Sequence, residues 1–149
     1  MQFQRTILVL LSFFFISTLY SQNLTIYRTA NSVDTTVMKI VEAIKSKDLV
    51  YFETVSHDAI AKERGINMAP TRMILFEDPD LMIKLIHCRQ TTALDLPMKI
   101  LVWEENEDVY IGFFDPKVMK KRFLLQGCED VITEMSKLKI RLIAEILKD

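Results

Sequence analysis

The stretch from Met98 to Asp115, MKILVWEENEDVYIGFFD, constrains the fold more than any other part of the sequence. It contains two runs rich in β-branched and aromatic residues, and a short acidic turn, EENED, separates them. Strands joined by so brief a connection pair antiparallel, because a parallel crossover needs a dozen residues or more. The sequence therefore predicts a β-hairpin, and with it a sheet that is at least partly antiparallel.

Strand and helix patterns alternate along the rest of the chain. Three further strands are predicted at Asn23–Ala30, Leu49–Val55 and Thr71–Glu77. Each is followed by a helical pattern, with Ser32 and Ser56 as N-caps of the first two, and a short and a long helix follow the hairpin. The order β-α-β-α-β-α-β-β-α-α predicts an α+β fold, a small mixed or antiparallel sheet of about five strands with helices packed on it.

The first 22 residues are predicted to be a secretory signal. Arg5 supplies a positive start, an apolar run of roughly ten residues follows from Ile7 to Ile16, and small polar residues close the segment. This run is shorter than the ~20 residues that span a bilayer. An N-terminal anchor or a core helix is the alternative. We expect an exported protein, periplasmic or secreted, with one domain over residues 23–149 and no stable membrane insertion after signal removal.

Charge and motif content exclude several classes of function. The chain has 19 Lys+Arg and 20 Asp+Glu. Nucleic-acid binding relies on a basic excess, so no nucleic-acid partner is expected. The 3 glycines are too scattered for a phosphate-binding loop, and neither a GxSxG elbow nor a Cys/His zinc spacing occurs. We expect no metal and no cofactor, and we assign no catalytic residue.

Cys88 and Cys128 are the 2 cysteines of the chain. In an oxidising compartment a disulfide between them would close a loop of about 40 residues, worth about 4 kcal/mol on the chain-entropy estimate. Each cysteine also lies at the edge of a helical pattern, where a small buried thiol is common. The sequence leaves both interpretations open.

Four residues form a candidate ligand-binding set: His57, Thr71, Asp95 and Trp103. The first three lie where predicted strands begin or end. His57 lies where a strand gives way to a helix N-terminus, a setting that favours the neutral imidazole. The simplest interpretation of His57 is local hydrogen bonding. The alternative is an acid–base pair of His57 with Asp95, as in a hydrolase-like enzyme.

Asp95 lies in the run LDLP, just ahead of the first hairpin strand. Pro97 has no N–H to donate and biases Leu96 towards extended geometry, so it marks the start of the strand. We expect Leu94 and Leu96 to pack on the core, while Asp95 points the other way and accepts backbone N–H bonds in the turn. This structural role is favoured over catalysis.

The last helix carries an apolar stripe that is wider than one sheet contact needs. Its members are Val131, Met135, Leu138, Leu142 and Ile146, with Ile132, Ile143 and Leu147 beside them. The stripe either covers the sheet within the monomer, which is the commoner arrangement, or forms a dimer surface.

From His57 to Pro116 the sequence resembles the family known as domain of unknown function 302. The motifs that carry this resemblance are SHDA, PT ahead of MILFEDP, LDLP before ILVWE, and a closing DP. The resemblance implies a small α+β domain that pairs as a homodimer and has no established biochemical activity.

The chain departs from the family pattern at two points. Ala69 stands where the family has an arginine, and Glu77–Pro79 replaces a glycine–asparagine–proline. The resemblance then implies partial loss of any ligand site built on that arginine or on the glycine backbone.

Three functional hypotheses follow. The first is an exported, non-enzymatic binding module for a small molecule or a peptide. The second is a structural or protein-interaction protein of the cell envelope that acts through its C-terminal helix. The third is the enzyme that uses His57 and Asp95. The sequence favours the first and leaves enzymatic activity undecided.

Overall fold

A computed structural model describes residues 23–148, so the predicted signal at 1–22 lies outside the described residues. The strands are β1 (Leu24–Thr29), β2 (Val50–Ser56), β3 (Thr71–Glu77), β4 (Met98–Glu105) and β5 (Asp108–Phe114). The helices are α1 (Val33–Lys45), α2 (His57–Glu63), α3 (Pro79–Cys88), α4 (Lys117–Arg122) and α5 (Glu129–Ile146). A 3₁₀ helix over Gln90–Asp95, which the sequence did not predict, precedes β4. The predicted α+β fold and its order of strands and α-helices are confirmed.

All five strands form one sheet in the order β1-β5-β4-β3-β2. Every neighbouring pair is antiparallel, so the sheet is antiparallel rather than mixed. The register between β3 and β4 runs from Thr71 opposite Trp103 at one end to Phe76 opposite Met98 at the other. These two ends of the sheet carry different groups of polar residues.

Local capping explains where two of the helices begin. The Ser32 side chain accepts a hydrogen bond from the Thr35 backbone N–H, as predicted. Asp78 caps α3 by accepting from the backbone N–H groups of Asp80 and Leu81. Ser56 occupies the N-cap position of α2, as predicted, but its side chain makes no capping hydrogen bond.

One face of the sheet packs against helices and forms the core. Alternate residues of the central strands are fully buried there, among them Ile74, Phe76, Ile100, Val102 and Ile111. Seven of the eight residues in the predicted stripe of α5 are buried in the same core, and Leu147 is 38% exposed. The stripe therefore packs within the monomer, and its interpretation as a dimer surface is wrong.

The other face of the sheet, called the open face here, is apolar and more exposed. One row of directly paired residues crosses it from strand to strand: Ile26, Gly112, Leu101, Met73 and Val55. Trp103 stacks on Tyr110 in the next row, with ring centroids 5.5 Å apart, and also covers Gly112. A Cβ atom at Gly112 would lie 2.9 Å from the Trp103 ring, so the close approach requires glycine.

A disulfide joins Cys88, at the end of α3, to Cys128, just before α5. The two Cα atoms are 6.4 Å apart, within the normal range for a bridge. Both cysteines of the chain are thus paired, and the bridge fixes the N-terminal end of α5 against α3.

Candidate functional site

The ladder between β4 and β5 stops before either strand ends. It runs from Glu105–Asp108 to Leu101–Gly112, although β4 begins at Met98. In the continued register Pro97 and Pro116 would face each other, and neither has an N–H to donate. Beyond the Leu101–Gly112 pair, β4 pairs only with β3, and β5 pairs only with β1. The sheet is split at this end.

A cavity of about 320 Å³ lies at the split. Much of its lining is apolar, including the three methionines Met98, Met119 and Met135. Five charged side chains also line it: Asp95, Lys99, Asp115, Arg122 and Lys139. A volume of this order and a mainly apolar wall with a few polar groups are typical of small-molecule sites.

Lys139 on α5 is the most unusual residue of the cavity. Its side chain is buried, with 6% exposure, and its Nζ donates to the carbonyl oxygen of Phe114 at 3.3 Å. That carbonyl lies on the part of β5 that has no β4 partner. Nζ also lies 5.4 Å from the centroid of the Phe113 ring. Within residues 23–148, no carboxylate forms an ion pair with Lys139.

Burial lowers the pKa of Lys139 from 10.5 to about 8, because the interior disfavours the charged ammonium. The neighbouring ammonium of Lys99 lowers the pKa further, whereas the carboxylates of Asp115 and Asp95 oppose the shift. A lysine whose pKa is lowered this far in a cavity is a functional-site candidate on physical grounds.

Two further cations border the cavity. The Arg122 guanidinium donates from Nη1 to both carboxylate oxygens of Asp95, at 2.7 and 2.6 Å. Lys99 donates to the backbone carbonyls of Asp95 and Pro97, at 3.1 and 2.8 Å. Asp95 is thus neutralised by Arg122, and positive charge at the cavity exceeds negative charge.

Asp115 is held in place by residues of two helices. Its Oδ1 accepts from the Ser136 hydroxyl at 2.9 Å and from the backbone N–H of Lys117 at 3.0 Å. Ser136 precedes Lys139 by about one turn of α5. The carboxylate and the lysine are therefore presented to the same cavity by one helix face and the end of β5.

Of the four predicted site residues, only Asp95 lines this cavity. Thr71 and Trp103 are directly paired at the opposite end of β3 and β4. His57 is exposed and directly follows the last residue of β2, at that same end. The structure brings three of the four predicted residues to the wrong end of the sheet for this site.

His57 and Asp95 are not close enough to form an acid–base pair. Asp95 precedes Met98 at one end of β4, whereas His57 lies near the other end, where Trp103 pairs with Thr71. The five residue-to-residue steps from Met98 to Trp103 alone span roughly 16 Å at the rise of a β-strand. The hypothesis of an enzyme that uses this pair is therefore wrong.

Asp58, rather than His57, organises the His57 end. Its carboxylate accepts from the backbone N–H of Thr71 at 3.3 Å and forms an ion pair with Arg72. The Thr71 hydroxyl donates to the carbonyl of Ala69. These contacts fix the start of β3, so the polar groups here serve the fold.

The expected surroundings of Asp95 also need correction. Leu94 is 81% exposed instead of packing on the core, although Leu96 does pack there. The Asp95 carboxylate binds the Arg122 side chain 27 residues away, and not backbone N–H groups of its own turn. Sequence reasoning had no means of finding this long-range partner.

Lys99, Asp115, Arg122 and Lys139 were missed as site residues. One signal for Lys139 was available: it lies beside Leu138 and four residues after Met135, inside the apolar stripe of α5. A lysine on the buried face of an amphipathic helix needs an explanation, because burying a cation costs free energy. Lys99, Asp115 and Arg122 lie close together only because α4, β4 and the end of β5 meet at the cavity. No sequence pattern indicates this packing.

No group of three or more His, Cys, Asp and Glu residues within residues 23–148 could hold a metal ion. No helix in the same range is long and apolar enough to cross a membrane.

The fold and the cavity define a small α+β domain with a single antiparallel sheet and a charged pocket at a strand split. The family model "Domain of unknown function DUF302" matches residues 25–142, and the chain belongs to this family. The motif residues Asp95–Pro97 and Asp115–Pro116 flank the split, so two of the motifs behind the resemblance meet at the cavity.

Relatives and solved structures extend the comparison. The chain is 33% identical over 102 residues to "Fluoride-specific ion channel FluC 1" of Brucella suis, covering 68% of this chain and 40% of the relative. The protein of the same name from Brucella abortus is also 33% identical, over 38% of its length. The chain thus spans about two fifths of these curated relatives.

A solved structure shows the shared fold. The crystal structure of an uncharacterised DUF302 protein from Bacillus stearothermophilus matches with a TM-score of 0.74 and 16% identity. The match covers 86% of this chain and 98% of that one.

Proposed function

We propose that this domain is a binding module that holds a small organic acid in the cavity at the β4–β5 split. The observation that carries the proposal is Lys139, a buried ammonium that faces the cavity without an ion-paired carboxylate in the described chain. Burying a charge without a partner is costly, and an anionic ligand would supply the missing partner.

The lining supports an acid with an apolar chain. The ligand's carboxylate would meet Lys139, with Lys99 and Arg122 close by, and its chain would contact the methionines. Methionine side chains adapt to ligands of irregular shape. The relatives named as fluoride-specific ion channels raise fluoride as a second anion, but this cavity is much larger than a single halide ion.

Calorimetric titration at pH 7 with hexanoate, hexan-1-ol and fluoride tests the proposal. We expect hexanoate to bind and the uncharged alcohol to bind at least about tenfold more weakly, because a hydrogen bond to a charged group contributes about 1.5–3 kcal/mol. Lys139→Met should abolish this preference for the acid.

The matched control is Lys137→Met, which removes an exposed lysine of the same helix that is paired with Glu134. This variant should bind hexanoate like the wild-type protein. Equal binding of hexanoate and hexan-1-ol, or unchanged binding by the Lys139 variant, would overturn the proposal. If fluoride alone binds, the ligand of the cavity is a halide and the organic-acid proposal is wrong.

We further propose that the domain acts after export. The Cys88–Cys128 disulfide supports this, since disulfides persist mainly in oxidising compartments. Expression of the full chain in a bacterial host, followed by fractionation, tests it. Export predicts recovery of a shortened, oxidised protein outside the cytoplasm, and full-length reduced protein in the cytoplasm would contradict it.

We also propose that two copies pair through their open faces. An in-plane twofold axis perpendicular to the strands, midway between Leu101 and Trp103, would place Lys99 of one copy over Glu105 of the other. Opposite charges of the two copies would then face each other, and so would their apolar rows. Such self-complementarity favours a second copy as the occupant of this face.

Light scattering of Leu101→Glu tests the dimer. This change places a charge at the centre of the open face and should convert a dimer into a monomer. Ile83→Glu is the control, because Ile83 is 60% exposed on α3, away from the open face. A wild-type protein that is monomeric at micromolar concentration would overturn the proposal.

A further inference from the structure

The position of the Lys139 amine would let it react with a bound ligand as well as pair with the ligand's charge. Its single hydrogen bond in the described chain goes to the carbonyl of Phe114, and at 3.3 Å that bond is long. The rest of the amine faces the cavity, whose volume of about 320 Å³ leaves room for a ligand. An amine held in this way can approach a bound carbonyl carbon.

We propose that Lys139 forms a reversible imine with a small 2-oxo carboxylic acid bound in this cavity. The inference rests on the proposed function and deepens it, because it names the class of acid. The ligand's carboxylate would lie between Lys139 and the other two cations, Lys99 and Arg122, and its adjacent oxo carbon would lie next to the Lys139 nitrogen.

The step balances without an oxidant or a reductant. The lone pair of the neutral amine bonds to the oxo carbon, and the π electrons of the C=O bond move to oxygen, which takes up a proton. The nitrogen then loses a proton, and a second proton reaches the hydroxyl oxygen. The nitrogen lone pair forms the C=N bond as the C–O bond breaks and one molecule of water leaves, and the nitrogen releases its second proton. The product is a C=N bond between Lys139 and the acid.

Asp115 is placed to move these protons. It lines the same cavity, and the Ser136 hydroxyl and the Lys117 backbone N–H fix its orientation. A carboxylate in this position can accept the proton that nitrogen loses and return it to the departing oxygen.

The charged groups around the amine favour its reactive form. Burial and Lys99 lower the pKa of Lys139, and Asp115 and Asp95 raise it, with about 8 as the result. Arg122, the remaining charged group of the lining, pairs with Asp95, which offsets its effect on the amine. At pH 7 about a tenth of the amine is therefore neutral, far more than for an ordinary lysine. Lowered pKa by desolvation and by a second cation is a known way of activating a lysine for imine formation.

Borohydride trapping with 2-oxohexanoate tests the proposal, with hexanoate as the matched acid that lacks the oxo group. We expect intact-mass spectrometry to show one reduced adduct per chain and peptide mapping to place it on Lys139. Excess hexanoate should suppress the adduct at least about tenfold, since both acids would compete for one cavity. Lys139→Arg should lose the adduct, and Lys137→Arg should retain it.

The outcomes separate this inference from the proposed function. If calorimetry shows hexanoate binding but no adduct forms on Lys139, the imine proposal is wrong and the proposed binding function is retained. Adducts spread over surface lysines would also overturn it. Failure of both hexanoate binding and trapping would overturn both proposals. Peptide mapping on the wild-type protein keeps the test decisive even if Lys139→Arg does not fold.

Discussion

The two ends of the β4–β5 hairpin use charge in opposite ways. At the turn end the ladder is complete to Glu105–Asp108, and the exposed Arg28 forms an ion pair with Asp108. At the other end the ladder stops early and the buried Lys139 enters the gap. At the turn end, the charged side chains join neighbouring strands of the sheet. The split end keeps a charge that lowers stability, which is typical of a region retained for binding.

The largest effect that bears on this comparison should come from removing the disulfide. The bridge spans 40 residues and anchors α5, the helix that brings Lys139 to the split. Replacing both cysteines by serine should lower the free energy of unfolding by about 4 kcal/mol, because the unfolded chain gains entropy. Urea unfolding measures the loss, and hydrogen exchange should show weaker protection in α5 than in the paired strands of the hairpin. A loss below about 1 kcal/mol would rule out the chain-entropy account.

Lys139→Met should have the next largest effect, and its sign is unusual. The folded pKa of Lys139, about 8, lies below its ordinary value of 10.5. Between these values the unfolded chain binds more protons, so the stability of the wild-type protein should rise with pH across this window, by up to about 3 kcal/mol. The methionine variant should be more stable at pH 7 by about 1–3 kcal/mol, allowing for the lost hydrogen bond to Phe114.

Urea unfolding at several pH values between 7 and 10.5 checks this prediction. The difference between wild type and Lys139→Met should shrink as the pH rises. Lys137→Met, on the exposed side of α5, should run parallel to the wild type. A constant difference between wild type and Lys139→Met over this range would mean that the buried amine does not oppose folding.

Gly112→Ala tests the paired part of the hairpin, at its last rung before the split. The new Cβ would meet the Trp103 ring at 2.9 Å, so we expect a loss of about 2 kcal/mol from overpacking. Thermal unfolding measures the loss, and Trp103 fluorescence reports the ring's displacement. Combining Gly112→Ala with Trp103→Leu should cost less than the two single changes together, and strict additivity would contradict this contact.

The smallest expected stability effects compare the two ends directly. Arg122→Ala and Arg28→Ala each remove an exposed arginine from an ion pair, so each should cost roughly 0.5 kcal/mol. Hexanoate binding should weaken only in Arg122→Ala, because Arg28 lies at the turn end. Equal weakening in both variants would show that the ligand responds to overall charge and not to the split end.

Local patterns were sufficient for much of the fold. The short acidic turn determined the hairpin. Apolar spacing identified α1, α5 and the buried side of α5, and caps, glycine and prolines marked the shorter helices. The β3 prediction, Thr71–Glu77, matches the strand residue for residue. These features depend on neighbours close in sequence, which is why one sequence was enough to predict them.

The candidate site was much harder to predict. The candidate set grouped polar residues at strand ends, but an antiparallel sheet has two ends along the strand direction. The end at which His57 lies and the end at which Asp95 lies depend on the direction of β4 within the assembled sheet. The Asp95–Arg122 pair and the depth of Lys139 likewise depend on how α4 and α5 dock, information that no local pattern contains.

Pro97 and Pro116, at the far end of the split, have a consequence for engineering. Neither supplies a ladder donor, so main-chain pairing cannot close the far end of the split, whichever side chains line the cavity. Substitutions at Met98, Met119 and Met135 can therefore reshape the chamber while the far end of the split stays open. For the proposed binding module, the choice of ligand could then be redesigned separately from the main-chain architecture around the cavity.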